Sequence, residues 1–355
     1  MASPLTILLT GAGAPGVTGT VHALRHNPSR EAVRLIGTDM RPDAVGRSLV
    51  DEYSVVPSPE DPGYEATVQD ICQRCAVDLV LPQTTREVER LAELKQPFEE
   101  LGVGVIAGDP EAVRRGNDKL ATLAAFASAD LPTPDWAIAR SREEVDTLVR
   151  DLGYPGSEVV VKLPRGNGMR GFRILSADAG GYHAFATSKP GDARVTLEEF
   201  GAVLDEADDI ELIVTEFLPG PEYSVDCYLG PSGEVAVVRE RIAVRSGIAF
   251  DTMVVDRPDI AETALCGARS LGLDGVFGFQ FKDRADGTPL LLECNPRVQG
   301  TMIASVLAGA NVIWMAVNDA LGRPVMAVPG IRLGSRFQRY WGGVDDLGTH
   351  IPGAL

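Results

Sequence analysis

Three side chains near the C-terminal end, Gln280, Glu293 and Asn295, stand on two apolar runs, GFQFKD and LLLECNPR, separated by a short turn. Successive side chains of a strand point to opposite faces, so Gln280 and Lys282 share one face, as do Glu293, Asn295 and Arg297. Two antiparallel strands then present Gln280, Glu293 and Asn295 to one point. All three are oxygen ligands, which suits Mg2+ held between a carboxylate and substrate phosphates. The plainer reading of this pattern is an exposed polar sheet edge.

Lysine is scarce, at positions 95, 119, 162, 189 and 282 alone. Lys162 ends the apolar run EVVVKL, and a cation there needs an anion unless its stem carries the ammonium to the surface. It is followed by PRGNGMRG, where Gly166, Gly168 and Gly171 alternate with Arg165 and Arg170. Such a loop is rich in backbone N–H donors and suits phosphates. Lys119, in Asn117-Asp118-Lys119, is a second candidate cation. In TEFLPGPEYSVD, an apolar strand breaking at Pro219-Gly220 exposes main-chain groups to an adenine edge, with Glu222 one loop away to accept from ribose hydroxyls. Strand, turn and strand would explain that string as well.

The run Gly11-Ala12-Gly13-Ala14-Pro15-Gly16 follows a first apolar strand, and Asp39 closes the second. That is G-x-G-x-x-G with an acid further on, the pattern of a dinucleotide site, although any tight βα turn also wants glycines. Cys72 and Cys75 form a lone C-x-x-C, readable as a redox pair or half a zinc site. Five cysteines, an odd number, favour reduced thiols over a disulfide framework. His22, His26, His183 and His350 are scattered, which argues against a histidine-based triad.

The first hundred residues alternate short apolar runs with helical periods at Val17 to His26, Ala66 to Ala76 and Thr85 to Leu101. Short buried strands linked by helices imply a parallel, Rossmann-like sheet. A long helix over Glu111 to Ala127, a break at LPTPDW and a helix near Glu143 to Leu152 come next. EVVVKL and FRILS flank the glycine stretch as a hairpin. After a helix at Leu197 to Glu206 come LIVTEFL, YSVDCYL, EVAVVRERIAV, GVFGFQFKD and PLLLECNP, whose short linkers favour antiparallel pairing. Helices at Ala261 to Leu271 and Ile303 to Leu321 should cover that sheet. The apolar helix with Trp314 and Met315 would serve a homodimer or the core. Arg239, Arg241 and Arg245 alternate along one strand, either as a solvated stripe or as oxyanion donors.

Lys and Arg total 33 against 50 Asp and Glu, a net charge of −17. This disfavours nucleic acid and anionic membrane as partners. No apolar run approaches the roughly 20 residues of a membrane span. The opening reads as a strand rather than a signal peptide, so a cytoplasmic protein is expected.

Taken in order, these motifs resemble the ATP-grasp superfamily, most closely the ATP-grasp halves of carbamoyl-phosphate synthase large chains and their stand-alone relatives. The resemblance covers nearly the whole chain. GAGAPG, Asp39, GRSLVDEYSVVP and DLVLPQTTREVERLAE look like that family's N-terminal domain, which accounts for the glycines without a nicotinamide cofactor. It implies a mixed α/β and α+β fold: a Rossmann-like domain over 1–110, a central lid subdomain over 111–210 and a C-terminal subdomain over 211–355. Lys119, Lys162, Gly166 and Gly168 would contact ATP phosphates. Glu216, Phe217 and Leu218 would hold adenine, and Glu222 ribose.

By the same resemblance Gln280, Glu293 and Asn295 would bind Mg2+, two ions being expected and Mn2+ an acceptable substitute. Arg297 would steady an acyl phosphate, with Arg241 or Arg239 assisting. The implied activity is ADP-forming ligation of a small carboxylate to an amine. The lid is less purely glycine than in the synthase, and a single ATP-grasp unit excludes a complete carbamoyl-phosphate synthase. An NAD(P)-dependent oxidoreductase and an ATP-binding regulator without turnover are the alternative readings.

Overall fold

The computed structural model describes residues 3–166, 168–187, 191–231, 233–340, 343–344 and 350–351. Contacts divide the chain into two compact units. One comprises Met1–Asn117, Pro221–Phe281 and Leu292–Leu355; the other comprises Asp118–Gly220 and Lys282–Leu291.

The first unit opens with β1 (Leu5–Thr10), α1 (Val17–Arg25), β2 (Val33–Asp39), β3 (Glu52–Val55), α2 (Tyr64–Cys75) and β4 (Leu79–Pro82). Helices α3 (Thr85–Glu93) and α4 (Lys95–Glu99), strand β5 (Gly104–Val105) and α5 (Pro110–Asn117) follow. The strands form a parallel sheet in the order β3-β2-β1-β4-β5. Alternation divides its core: Leu5, Ile7 and Leu9 face one apolar cluster, while Leu8 faces a second with Tyr64, Ile71 and Phe98. The expected helix from Thr85 to Leu101 is interrupted at Leu94, whose ψ of 7° leaves helical geometry. Pro97 explains the break, since it has no N–H for the Glu93 carbonyl and its ring crowds that group.

The turn after β1 is filled by the chain itself. Gly11 has φ +62°, and a Cβ there would lie 2.4 Å from Glu87 Oε2. The Gly13 N–H donates to Asp39 Oδ2 at 2.7 Å. Glu87 is 4% exposed and accepts from the Thr84 hydroxyl at 2.7 Å. Burial pushes its carboxyl up to about 7.

The second unit contains α6 (Lys119–Ser128), β6 (Trp136–Ala139), α7 (Arg142–Asp151), β7 (Val159–Lys162), β8 (Phe172–Leu175) and α8 (Gly181–Thr187). It continues with β9 (Arg194–Val195), α9 (Leu197–Leu204) and β10 (Leu212–Glu216). Its sheet runs β6-β10-β7-β8-β9, with Val145 and Val149 of α7 and Phe200 and Leu204 of α9 packed among Val159, Val161 and Val214. The single helix expected over Glu111 to Ala127 is two. Asp118 is extended (φ −102°, ψ 111°), and its side chain caps α6 by accepting from the N–H groups of Leu120 and Ala121. Lys119 therefore begins a helix instead of lying within one.

Returning to the first unit, β11 (Glu222–Gly230), β12 (Gly233–Arg245), β13 (Ile248–Val254), α10 (Pro258–Leu271), β14 (Gly275–Asp283) and β15 (Pro289–Asn295) come next. The chain then runs through α11 (Ile303–Leu307), α12 (Val312–Ala320), β16 (Arg336–Gln338), β17 (Gly343–Val344) and β18 (His350–Ile351). Six strands form a sheet ordered β15-β14-β11-β12-β13-β16. The far end of the β14–β15 hairpin, Lys282–Leu291, belongs to the second unit. β13 was not anticipated, yet Ser246 (φ 49°) and Gly247 (φ 76°) make the two-residue turn that pairs it with β12. The helix expected over Ile303 to Leu321 is broken at Gly309, which has φ +111°, and restarts at Asn311, whose side chain accepts from the Trp314 N–H. Trp314 and Met315 lie in the core beneath β1, so core packing accounts for the apolar character of α12.

The arginines of β12 are not a solvated stripe. Arg239 is 1% exposed and Arg241 8%, and a register shift after Arg241 separates them from exposed Arg245, which lies over Phe250. Arg239 forks onto Asp226, with Nε at 2.6 Å and Nη2 at 2.9 Å, and its Nη1 donates to Thr252 at 3.3 Å. Buried and forked onto a single carboxylate, Arg239 acts as a structural cation in the sheet.

Two outcomes follow for stability. Asp226→Ala strands the Arg239 charge in the core and should destabilise the protein by roughly 3–5 kcal/mol in denaturant unfolding. Glu87 holds its proton to higher pH in the folded chain than in the unfolded, so its contribution to stability falls as pH rises from the ordinary 4.5 to about 7. The stability of wild type relative to Glu87→Gln should drop by about 3 kcal/mol across that window; a pH-independent difference would contradict it.

Candidate functional site

In the first unit, packing on β14 and β15 fixes which side chains are presented. Phe277, Phe279 and Phe281 are buried on one face of β14, leaving Gln280 half-buried on the other. Cys294 is buried on β15, leaving Glu293 and Asn295 on its opposite face. With the strand order β15-β14-β11-β12, Glu293, Gln280, Glu222 and Arg241 sit on successive neighbouring strands.

Hydrogen bonds knit these groups together. Arg241 Nη1 donates to both Glu222 Oε1 and Gln280 Oε1, and its Nη2 donates to the Gly247 carbonyl at 2.7 Å. Asn295 Nδ2 donates to Glu293 Oε1 at 3.3 Å, and Arg297 Nη2 to Asn295 Oδ1 at 3.0 Å. Arg297 also reaches Thr85 Oγ1 at 3.2 Å and the Val298 carbonyl at 3.1 Å. Burial lowers both arginines from their ordinary range, Arg241 opposed by Glu222 and Glu293 and Arg297 by Glu293. Gln280 and Glu222 thus meet at Arg241, and Asn295 lies between Glu293 and Arg297.

In the second unit, Lys162 is 6% exposed at the end of β7, and the loop 163–171 leads to β8. The loop closes with Leu163 N–H donating to the Gly171 carbonyl at 2.9 Å. Gly168, Met169 and Gly171 all take positive φ, from 63° to 66°, and a Cβ at Gly171 would lie 2.4 Å from the Leu163 side chain. Asn167 of this loop lies outside the described residues. Lys119 Nζ donates to the Gly166 carbonyl at 2.7 Å, and the Lys119 backbone N–H donates to the Pro164 carbonyl at 2.9 Å. Arg165 pairs with Asp118, the α6 cap, at 3.2 Å. Both expected lysines therefore adjoin the glycine loop.

The segment Glu216 to Gly220 is held by Asp135, Arg284 and Arg194, which the sequence did not point to, and by Lys282. The Glu216 carboxylate accepts from the Asp135 N–H at 2.8 Å and from Arg284 through Nε at 3.0 Å and Nη2. Lys282 Nζ lies 5.3 Å from the Phe217 ring centroid, and the Arg194 guanidinium 5.9 Å. Leu218 is buried, and Gly220 N–H donates to the Asp283 carbonyl at 2.9 Å. A side chain at Gly220 would meet Asp283 at 2.7 Å. Arg284 comes from RADGT, legible only as a turn, and no local pattern connects it to Glu216.

The glycine turn after β1 suits a dinucleotide poorly. Asp39 already accepts from Gly13 and from the Arg41 N–H, and Glu87 adds a buried acid against Gly11. Two carboxyl groups stand where pyrophosphate would need donors. Cys72 and Cys75 lie in the core beneath the sheet, where burial pushes the Cys72 thiol up to about 12, far from a reactive thiolate. His22 and His26 stack on each other along α1.

Comparison with known proteins identifies the families that the chain matches. Residues 208–340 match the family described as ATP-grasp in the biosynthetic pathway with Ter operon, and residues 7–106 match the PylC-like N-terminal domain. A carbamoyl-phosphate synthase of Methanobrevibacter smithii is 25% identical over 309 residues, 82% of this chain and 75% of its own. A biotin carboxylase of Allochromatium vinosum is 25% identical over 244 residues, 66% of this chain and 52% of its own. The chain spans only about a fifth of the carbamoyl phosphate synthase large chains it matches.

Among solved structures, the ADP complex of an N5-carboxyaminoimidazole ribonucleotide synthetase superposes with a TM-score of 0.69 at 17% identity, covering 94% of this chain and 81% of that one. A biotin carboxylase of Campylobacter jejuni in a β,γ-ATP complex gives a TM-score of 0.69 at 16% identity, with 94% and 74% covered. At that identity the likeness speaks for the fold. The chain carries a PylC-like N-terminal domain and an ATP-grasp domain, and is homologous to carbamoyl-phosphate synthase and biotin carboxylase.

Proposed function

We propose that the chain uses Mg·ATP to activate a small carboxylate as an acyl phosphate and transfers it to an amine, releasing ADP and phosphate. The observation that carries this reading is that Arg241 bridges Gln280 and Glu222, while the neighbouring strand of the same sheet carries Glu293 bonded to Asn295. Uncharged and anionic oxygen donors on neighbouring strands fit a hard divalent cation. The bound magnesium would neutralise the phosphate oxygens during phosphoryl transfer.

The remaining roles belong to the chain. Lys119 and Lys162 are assigned to the ATP phosphates, and the amides of the Gly166 to Gly171 loop to the same charge. The main chain of Glu216, Phe217 and Leu218 is assigned to the adenine edge, and Glu222 to ribose. In this reading Arg284 keeps the adenine segment in place through Glu216, and so acts as a positioning residue. Arg297, already oriented by Thr85 and Asn295, would hold the transferring phosphoryl group and then the oxyanion of the tetrahedral step. An acyl phosphate survives only where water is kept out, which the glycine loop would provide by closing.

ADP release with Mg·ATP and a panel of carboxylates, with hydroxylamine as the amine, tests the reading. A carboxylate-dependent hydroxamate detected by mass spectrometry is expected. Mg·ATP binding without ADP for any acid would favour a regulator, and protection against unfolding by NADPH in place of Mg·ATP would favour an oxidoreductase. Glu293→Gln should cut turnover by a hundred-fold or more, and unchanged turnover would remove the metal assignment. Arg297→Met should lower kcat far more than ATP affinity; loss of affinity alone would move Arg297 to a binding role.

A further inference from the structure

Two buried arginines stand two residues apart on β12, and their surroundings differ in kind. Arg239 is matched: its Nε and Nη2 fork onto a single carboxylate, Asp226, and its Nη1 meets Thr252. Arg241 is not. Its Nη1 is shared between oxygens of two different strands, Glu222 and Gln280, and its Nε is buried with no hydrogen-bond partner among the described residues. Its side chain is 3% exposed, whereas that of Glu222 is 25% exposed. A guanidinium normally gains most by taking one carboxylate with two parallel bonds. Arg241 instead spreads over oxygens that belong to separate partners and leaves one donor unsatisfied, which is costly in a buried site.

We propose that Arg241 is an internal stand-in for the divalent cation at Gln280, holding Gln280 and Glu222 together and yielding them when metal enters with nucleotide. The inference rests on the Mg·ATP reading above. Its basis is the identity of the oxygens: Gln280, assigned to metal, and Glu222, assigned to ribose, are the two that one guanidinium nitrogen bridges. Glu293, the charged member of the metal set, also acts on Arg241 electrostatically. With a positive charge already beside it, a free divalent cation meets repulsion as well as an occupied Gln280. Arrival with the nucleotide supplies the anionic phosphates that can take over the guanidinium. Gly247, in the two-residue turn between β12 and β13, holds the other end of the fork through its carbonyl and gives the side chain a pivot outside the metal set. The consequence is ordered assembly: metal binds tightly only in company with ATP or ADP.

Mn2+ binding followed by electron paramagnetic resonance tests this without any turnover. Wild type should bind Mn2+ weakly alone and tightly with ADP. Arg241→Met should bind Mn2+ without nucleotide at least ten-fold more tightly than wild type, and Glu293→Gln in the same background should abolish that gain. Equal nucleotide-free affinity in wild type and Arg241→Met, with ADP-dependent binding intact, overturns the stand-in and leaves the Mg·ATP reading standing. No Mn2+ binding by wild type even with ADP overturns that reading itself. Should Arg241→Met not fold, an arginine side-chain nitrogen spectrum of wild type decides. Addition of MgADP must move a guanidinium signal that is absent from Arg241→Lys, and an unmoved signal rejects the proposal.

Discussion

The alternation of side chains along β14 is the constraint on which the site depends. Phe277, Phe279 and Phe281 are buried on one face, with successive rings in contact at 5.9 and 6.2 Å between centroids. A strand cannot bury that row and slip its register by one residue without turning every one of them outward. Gln280 and Lys282 are therefore fixed on the other face. Gln280 meets Glu222 at Arg241; within the second unit, Lys282 reaches the Phe217 ring.

The same period-two logic made much of this legible in the sequence. Short apolar runs marked parallel strands, and the faces of GFQFKD and LLLECNPR were readable where buried Phe279, Phe281 and Cys294 alternate with half-buried Gln280, Lys282, Glu293 and Asn295. What escaped notice were the places where one residue outweighs a continuing periodic pattern. Asp118 divides an apparent helix because a capping carboxylate satisfies two N–H groups. Pro97 and Gly309 divide two others, the first by removing a donor, the second by adopting a left-handed conformation.

Long-range polar pairing was less legible still. Arg239 and Arg241 are identical in type, share a strand and differ only in what neighbouring strands bring to them: a single carboxylate for one, a shared pair of oxygens for the other. Nothing within β12 encodes that difference. Arg284 and Glu216 are likewise 68 residues apart, and their pairing depends on the hairpin end that carries Arg284. The glycine turn after β1 carried a pattern shared by dinucleotide sites, and the structure separates the two cases by where the acids sit. Asp39 closes on the turn instead of remaining available to a ribose, and Glu87 fills the space beside Gly11.

Oxygen transfer measures the central claim most directly. With the acid that supports ADP release labelled in both carboxylate oxygens by oxygen-18, activation through an acyl phosphate requires one labelled oxygen to leave with the phosphate. Mass spectrometry of the released phosphate should show one oxygen-18 per turnover. Unlabelled phosphate, with both labelled oxygens retained by the acid or its product, would contradict carboxylate activation by this chain.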